Sequence, residues 1–249
     1  MKTKNECYNR LFAATVISLF TTLVLFDLAV SYELVGWNYG PTGYELALKD
    51  AQEKESPVIL FFYVDSNELC ERLKNDYFGV YSVNEFLSDV PKVVINLDGG
   101  EFEKAIAAKY GVEQDPALFV IFPFMEIEPQ GFTPFLENRD MTVDEFIKNI
   151  RDIFILAFSN RAFEFFEEQD YENALKYFQT ARDFDPGWKY PYFALGTVYH
   201  AIAIEEKSID SYNKAEDNYL KALEIDPDYK ESKEELGKLR NDKDKIIVR

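Results

Sequence analysis

Long apolar runs alternate with helical patterns through the middle of the chain. Residues 57–64 (PVILFFYV) form one continuous run, and residues 92–97 (KVVINL) and 117–122 (ALFVIF) are similar. Runs of this length, rich in Val, Ile and Phe, predict strands that are buried on both faces of a sheet. Helical periodicity covers the stretches between them, at residues 43–53, 67–74 and 101–110. This alternation of helices and strands predicts an α/β region.

Several of these predicted helices carry recognisable signals. In the first helix, Leu46, Ala47 and Ala51 are expected to share one buried face. Asn67, or Ser66 before it, is suited to cap the second helix, because short polar side chains accept hydrogen bonds from exposed N–H groups. Thr142 and Glu145 have the spacing of a capping box, which predicts that a further helix begins at residue 143.

From residue 158 onward the apolar positions recur with helical spacing. Two stretches repeat the same arrangement and end in similar phrases, TARDFDP and KALEIDP. This part of the chain resembles tetratricopeptide (TPR) repeats. The resemblance implies an all-α domain over residues 151–249, with repeats at about 155–188 and 189–229 and a capping helix at 229–241. The second repeat is longer than the family pattern, which predicts two lengthened helices.

The N-terminal residues are a candidate membrane segment. Residues 11–30 are almost entirely apolar, and about twenty such residues suffice to cross a bilayer. Lys2, Lys4 and Arg10 precede them, which predicts that the N-terminus stays in the cytoplasm and that residue 32 onward lies outside it. A cleaved signal peptide, which would make the protein secreted, is the alternative. Residues 1–31 are therefore predicted to be a signal anchor or transmembrane segment.

The α/β region resembles the thioredoxin family. The resemblance is carried by Trp37, by the stretch ESPVILFFYV and by the stretch YGVEQDPALFVIF, and it implies a thioredoxin-like domain over residues 32–150. The family's first long strand ends in Trp-Cys-x-x-Cys, whereas here Asn67 occupies the position of the nucleophilic cysteine and only Cys70 remains. Because an amide cannot attack a disulfide, the redox activity of the family is not implied.

The same resemblance suggests a different use for this site. Pro116, preceded by Asp115, matches the cis-proline of the family, whose loop binds an extended substrate backbone. Ser66 and Asn67 would lie opposite this loop and, with Cys70, complete the degenerate site. The surface is predicted either to dock a peptide strand or to be retained for folding alone. Cys70, on the inner face of its helix, is expected to be a packing residue.

The TPR resemblance implies a second binding surface. In that family the first helix of each repeat lines a concave groove, and an apolar groove would suit an amphipathic helix or the protein's own tail. The corresponding positions in this chain are Ser159, Phe163, Phe166, Glu167, Phe193, Thr197 and His200. Core packing is the alternative role for these side chains.

Composition limits the classes of function. The net charge of −18 disfavours binding to nucleic acid, which requires a basic surface. The chain has 2 cysteines and 1 histidine, so no metal site or other cofactor is expected. The favoured function is a membrane-tethered, non-enzymatic module for protein–protein interaction: a scaffold, an assembly factor or an accessory subunit of an extracytoplasmic or membrane complex. The alternatives are a thiol-disulfide oxidoreductase or isomerase that uses Cys70 alone, and a holdase chaperone.

Overall fold

A five-stranded mixed sheet forms the first half of the protein. The computed structural model describes residues 34–65, 67–112 and 116–246. The strands are β1 (Asn38–Tyr39), β2 (Val58–Tyr63), β3 (Lys92–Asn96), β4 (Ala117–Ile121) and β5 (Gln130–Phe132). Their spatial order is β1-β3-β2-β4-β5. Strands β1 and β2 run parallel to β3, whereas β4 is antiparallel to β2 and to β5.

The central strand β2 is buried on both faces, as the continuous apolar run predicted. Leu60 and Phe62 face a core that also contains Ala47 and Ala51. On the opposite face, the ring of Phe61 lies 5.6 Å from that of Phe78. Predicted strands at β2, β3 and β4 are confirmed.

Helices cover both faces of this sheet. They are α1 (Gly40–Lys54), α2 (Glu68–Arg72), α3 (Tyr81–Phe86) and α4 (Glu101–Lys109). A π-helical segment, Leu73–Phe78, continues directly from α2 and supplies Phe78 to the core. One sequence prediction is wrong here, because Leu46 is 58% exposed while Ala47 and Ala51 are buried. A step of one residue turns a helical side chain by about 100°, which carries Leu46 off the buried face.

The second half of the protein is entirely helical. Its helices are α5 (Val143–Glu167), α6 (Tyr171–Phe184), α7 (Lys189–Glu206), α8 (Ile209–Ile225) and α9 (Lys230–Ile246). The predicted capping box is present at the start of α5: Thr142 accepts from the Glu145 N–H, and Glu145 accepts from the Thr142 N–H at 2.8 Å. Helix α9 ends five residues later than the predicted capping helix, since Ile246 is buried against the helices before it.

Adjacent helices pack in pairs, with α5 against α6 and α7 against α8, and α9 packs on α8 and α7. Small residues allow the close approach within the pairs. Ala162 and Ala174 are fully buried between α5 and α6, and Ala215 is fully buried on α8. At Gly196 a methyl group would lie 2.7 Å from the ring of Tyr219, so α7 and α8 meet at a distance that only glycine permits.

The sheet and the helices share one core. The ring of Phe122, just after β4, lies 6.0 Å from Phe158 of α5, and Phe158 lies 5.6 Å from Phe184 of α6. An ion pair of 2.5 Å between Lys176 and Glu55 also joins α6 to the end of α1. Residues 36–246 accordingly form one compact unit.

None of the helices that the structure describes is long and apolar enough to cross a membrane. The predicted membrane segment, residues 11–30, lies outside the described residues.

Candidate functional site

The first candidate site lies where the chain leaves β2 and enters α2. Asn67 is the N-cap of α2: its side-chain oxygen accepts hydrogen bonds from the N–H groups of Leu69, at 2.8 Å, and Cys70, at 3.4 Å. This confirms the predicted cap. Asn67 therefore stabilises the helix terminus with an amide, which satisfies N–H groups that water would otherwise solvate.

Cys70 lies one turn further along, with a side chain that is completely buried. The neighbouring Leu69 is 38% exposed, so it is the outer face of α2 that solvent reaches. Thiol-disulfide exchange requires a thiolate that can approach the sulfur of a substrate. A sulfur atom in this position is accessible to a substrate only when α2 opens.

The charged side chains beside the same helix form contacts with one another. The ammonium of Lys74 donates a hydrogen bond to Glu71 at 3.0 Å and lies 4.1 Å from the centre of the Tyr63 ring. The Asn96 amide donates to Asp65 at 3.2 Å. Burial, and then the negative charge of Asp65, raise the pKa of the Tyr63 hydroxyl. These groups partner one another, which favours a structural role for the charges around α2.

The remaining residues of the degenerate site are only partly described. Pro116 is half-buried immediately before β4. Ser66 and Asp115 lie outside the described residues, so the predicted peptide-docking surface at this edge stays a prediction.

The second candidate site is the predicted helical groove, of which α5 supplies an exposed part. Phe163 is 48% exposed, and its ring lies 6.4 Å from that of the half-buried Phe166. Phe166 in turn lies 6.0 Å from Tyr171 of α6. Glu167 is exposed beside them. The structure thus brings Phe163, Phe166 and Glu167 together on one accessible surface.

The other predicted groove residues pack inside the helical array. Ser159 is 4% exposed, and its buried hydroxyl has no hydrogen-bond partner within the described chain. The ring of Phe193 lies 5.4 Å from that of Tyr229, and the Thr197 hydroxyl donates to the Phe193 carbonyl at 3.1 Å. Core packing, the alternative role, fits the buried Ser159, while Phe193 and Thr197 are half-buried against their neighbours.

His200 is also an interior residue. Its side chain is mostly buried, and Nε2 lies 3.4 Å from a carboxylate oxygen of Asp242 on α9. A hydrogen bond from Lys245 lowers the pKa of Asp242, and His200 adds a smaller effect in the same direction. The contact joins α7 to α9, so His200 acts in the docking of the last helix.

A third feature was not predicted from the sequence. A cleft of about 340 Å³ separates the loop after β4 from the outer face of α5, with Met125, Ile127, Ile153, Leu156 and Ala157 among its apolar lining residues. Leu156 is 59% exposed. Its position on the outer face of α5, opposite the buried Phe154 and Phe158, was the available signal. The sequence predicts the start of this helix, but the loop that forms the other side of the cleft is set by the tertiary structure.

Metal chemistry gains no support from these sites. Across residues 34–65, 67–112 and 116–246, no group of three His, Cys, Asp or Glu side chains is arranged to hold a metal ion.

The arrangement of strands and helices defines an α/β sheet region followed by an all-helical region. No model of a known protein family matches the chain, and no curated protein matches it.

Solved structures to which the chain is similar include a thioredoxin, a domain of DsbD and a DsbH oxidoreductase. A thioredoxin from Thermus thermophilus is 19% identical with a TM-score of 0.38, and the match covers 48% of this chain and 88% of that one. The oxidised C-terminal domain of DsbD from Neisseria meningitidis is 22% identical with a TM-score of 0.36, covering 46% of this chain and 97% of that one. A DsbH oxidoreductase is 15% identical with a TM-score of 0.37, covering 50% and 87%. At these identities the likeness concerns the fold of the sheet region alone.

Proposed function

We propose that this protein is a non-enzymatic module for protein–protein interaction. In this proposal residues 11–30 hold it at a membrane, and the rest acts outside the cytoplasm as a scaffold, an assembly factor or an accessory subunit of a membrane complex. The supporting observation is the pair formed by Asn67 and Cys70, in which an amide caps α2 and the thiol is completely buried. A fold alone does not set a function, so the proposal rests on this site.

The chemistry of disulfide exchange explains why this observation counts against an enzyme. Attack on a disulfide needs an exposed thiolate at the helix N-terminus, and the residue there is Asn67. If Cys70 formed a mixed disulfide, its release would require a second thiol. The chain's other cysteine is Cys7, which under the proposed topology lies across the membrane.

The second part of the proposal is that the helices are two tetratricopeptide repeats. Its support is the pairing of α5 with α6 and of α7 with α8, and the lengths of α7 and α8, 18 and 17 residues, which fit the long second repeat. Helices paired in this way present their first members to a partner. In this proposal the partner contacts Phe163, Phe166 and Glu167.

Thiol accessibility tests the non-enzymatic part. In the full-length Cys7→Ser variant, Cys70 is the only thiol, and we expect a maleimide to label it slowly in buffer and rapidly in denaturant. We also expect no acceleration of insulin reduction by dithiothreitol. Turnover that is present in this variant and disappears when Cys70 is also changed to Ser would show that the protein is an enzyme.

Photo-crosslinking tests the interaction part. A photoreactive residue at position 163, in native membranes, is expected to capture a partner protein. Phe102 on α4 provides a matched control, since it is an exposed aromatic residue (78%) in the sheet half. Equal capture from both positions would indicate non-specific contact and contradict the proposed surface.

A further inference from the structure

The cleft beside α5 has an apolar centre that is open to solvent. Leu156 projects from the outer face of α5 and is 59% exposed, and Ile127 across the cleft is 40% exposed. The half-buried Met125, Ile153 and Ala157 extend the same apolar lining. Removing such side chains from water is favourable by about 25 cal/mol for each Å². A contiguous apolar cleft of this kind is typical of a surface that binds another molecule.

The rim of the cleft is negatively charged, and its carboxylates are available to pair with a partner. Glu126 lines the cleft and Glu128 follows in the same exposed loop, and neither forms an ion pair with a side chain of the described chain. The cation at the rim, Arg161, is already engaged: it pairs with Glu164 at 2.7 Å and lies 4.2 Å from the ring centre of Phe165. The charges that remain for a partner are therefore carboxylates.

We propose that this cleft binds a basic amphipathic helix of a partner protein. Leucine-like anchors of that helix would pack against Leu156 and Ile127, while its Lys or Arg side chains would pair with Glu126 and Glu128. The proposal rests on the proposed function and assigns its partner class. An acidic or neutral helix would leave the rim carboxylates unpaired, and charge complementarity of this kind decides between partners.

Charge also separates this partner from a second copy of the chain. Each copy carries a net charge of −18, and a symmetric contact would bring the same carboxylates face to face. Phe163 lies two turns beyond Leu156 on the same stripe of α5, so a bound helix that follows α5 would continue onto the exposed aromatic surface already described.

A model peptide tests the inference on the full-length protein. The probe is a fluorescent helix of about five turns with leucine on one face and lysine on the other. We expect saturable binding by anisotropy, weakened about tenfold or more by Leu156→Glu, because the change places a charge in the apolar contact. Leu220→Glu is the matched control, since Leu220 is a 44% exposed leucine on α8. It is expected to leave binding unchanged.

The charge requirement has its own test. In the double variant Glu126→Gln and Glu128→Gln, we expect weaker binding and a smaller loss of affinity between about 50 and 500 mM salt. Equal binding of a leucine–glutamate probe, equal effects of the two leucine variants, or absence of binding would overturn the inference. So would a wild-type dimer that Leu156→Glu dissociates, because it would show a second copy in the cleft.

The two proposals fail separately. Capture of a partner at position 163 with no effect of Leu156→Glu would retain the proposed function and reject the cleft. Enzymatic turnover that depends on Cys70 would reject the proposed function, whether or not the model peptide binds.

Discussion

The two halves of this molecule place their apolar residues differently. In the sheet half, five successive residues of β2 are buried, and the helix capped by Asn67 presents polar and charged side chains around a buried thiol. In the helical half, small residues bring the helices together, and large apolar side chains such as Leu156 and Phe163 are left exposed. The sheet half also exposes large apolar side chains, among them Tyr81 and Phe102, so the comparison separates two ways of packing rather than a buried half from an exposed one.

The two halves pack differently, but they share one core. Helix α5 belongs to both: Phe146 at its start packs against Phe78 under the sheet, and Phe158 further along packs against Phe184. Because one helix spans both regions, the sheet is expected to hold the exposed face of α5 in a constant position. Three pairs of variants, each a test with its control, show how far this comparison holds.

The largest effect is expected at the shared core. Phe158→Ala removes a ring that is 2% exposed and contacts both halves, and such changes cost about 3–5 kcal/mol in the free energy of unfolding. Circular dichroism and intrinsic fluorescence should still report one unfolding transition. Phe163→Ala, at an exposed position on the same helix, should change stability by less than about 1 kcal/mol. Separate transitions for sheet and helices would contradict the shared core.

An intermediate effect is expected where two helices approach most closely. Gly196→Ala places a methyl group 2.7 Å from the buried Tyr219 ring, and overpacking of this kind costs about 1–3 kcal/mol. Gly237 on α9 has no atom within 4 Å of the corresponding position. Gly237→Ala should therefore stabilise the protein by about 0.5–1 kcal/mol through helix propensity. Urea unfolding measures the change in the free energy of unfolding for both variants. Changes of the same sign would be inconsistent with this packing.

The smallest effect is expected at the capping box of α5. Hydrogen bonds from Arg139 and Thr142 lower the pKa of Glu145 from 4.5 to about 2. A carboxylate whose pKa is lower in the folded protein stabilises it above pH 4.5 and loses this contribution as the pH falls through 2. Glu145→Gln should therefore lower the Tm at pH 7 and lessen its fall between pH 5 and 2. Glu167→Gln is the control at the exposed end of α5, and an equal effect there would contradict this role of the capping box.

Local signals in the sequence predicted much of the fold. The continuous run at β2 required burial on both faces, and Thr142 with Glu145 marked the start of α5. The elements that escaped prediction lack such signals. Strand β1 is 2 residues long, and β5 contains only Gln130, Gly131 and Phe132. Strand β1 depends on hydrogen bonds to β3, which is distant in the chain, and β5 depends on hydrogen bonds to β4 across the loop of residues 122–129.

For the candidate sites too, the sequence predicts the features that depend on neighbouring residues, but not those that depend on the tertiary structure. That Asn67 caps the following helix could be inferred from residues 67–70, because a cap depends on neighbours in the chain. Which aromatic residues of the predicted groove are exposed could not be inferred, because Phe193 is covered by Tyr229 and Phe163 is not.

Sequence alone determined the alternation of helices and strands, the position of the caps and the absence of a Cys-x-x-Cys pair at residues 67–70, since each depends on residues within a few turns of one another. Only the tertiary structure decided that Cys70 is fully enclosed and that Leu156 faces a cleft. Exposure depends on what the rest of the chain places against a side chain, and for Leu156 that is a loop some thirty residues earlier.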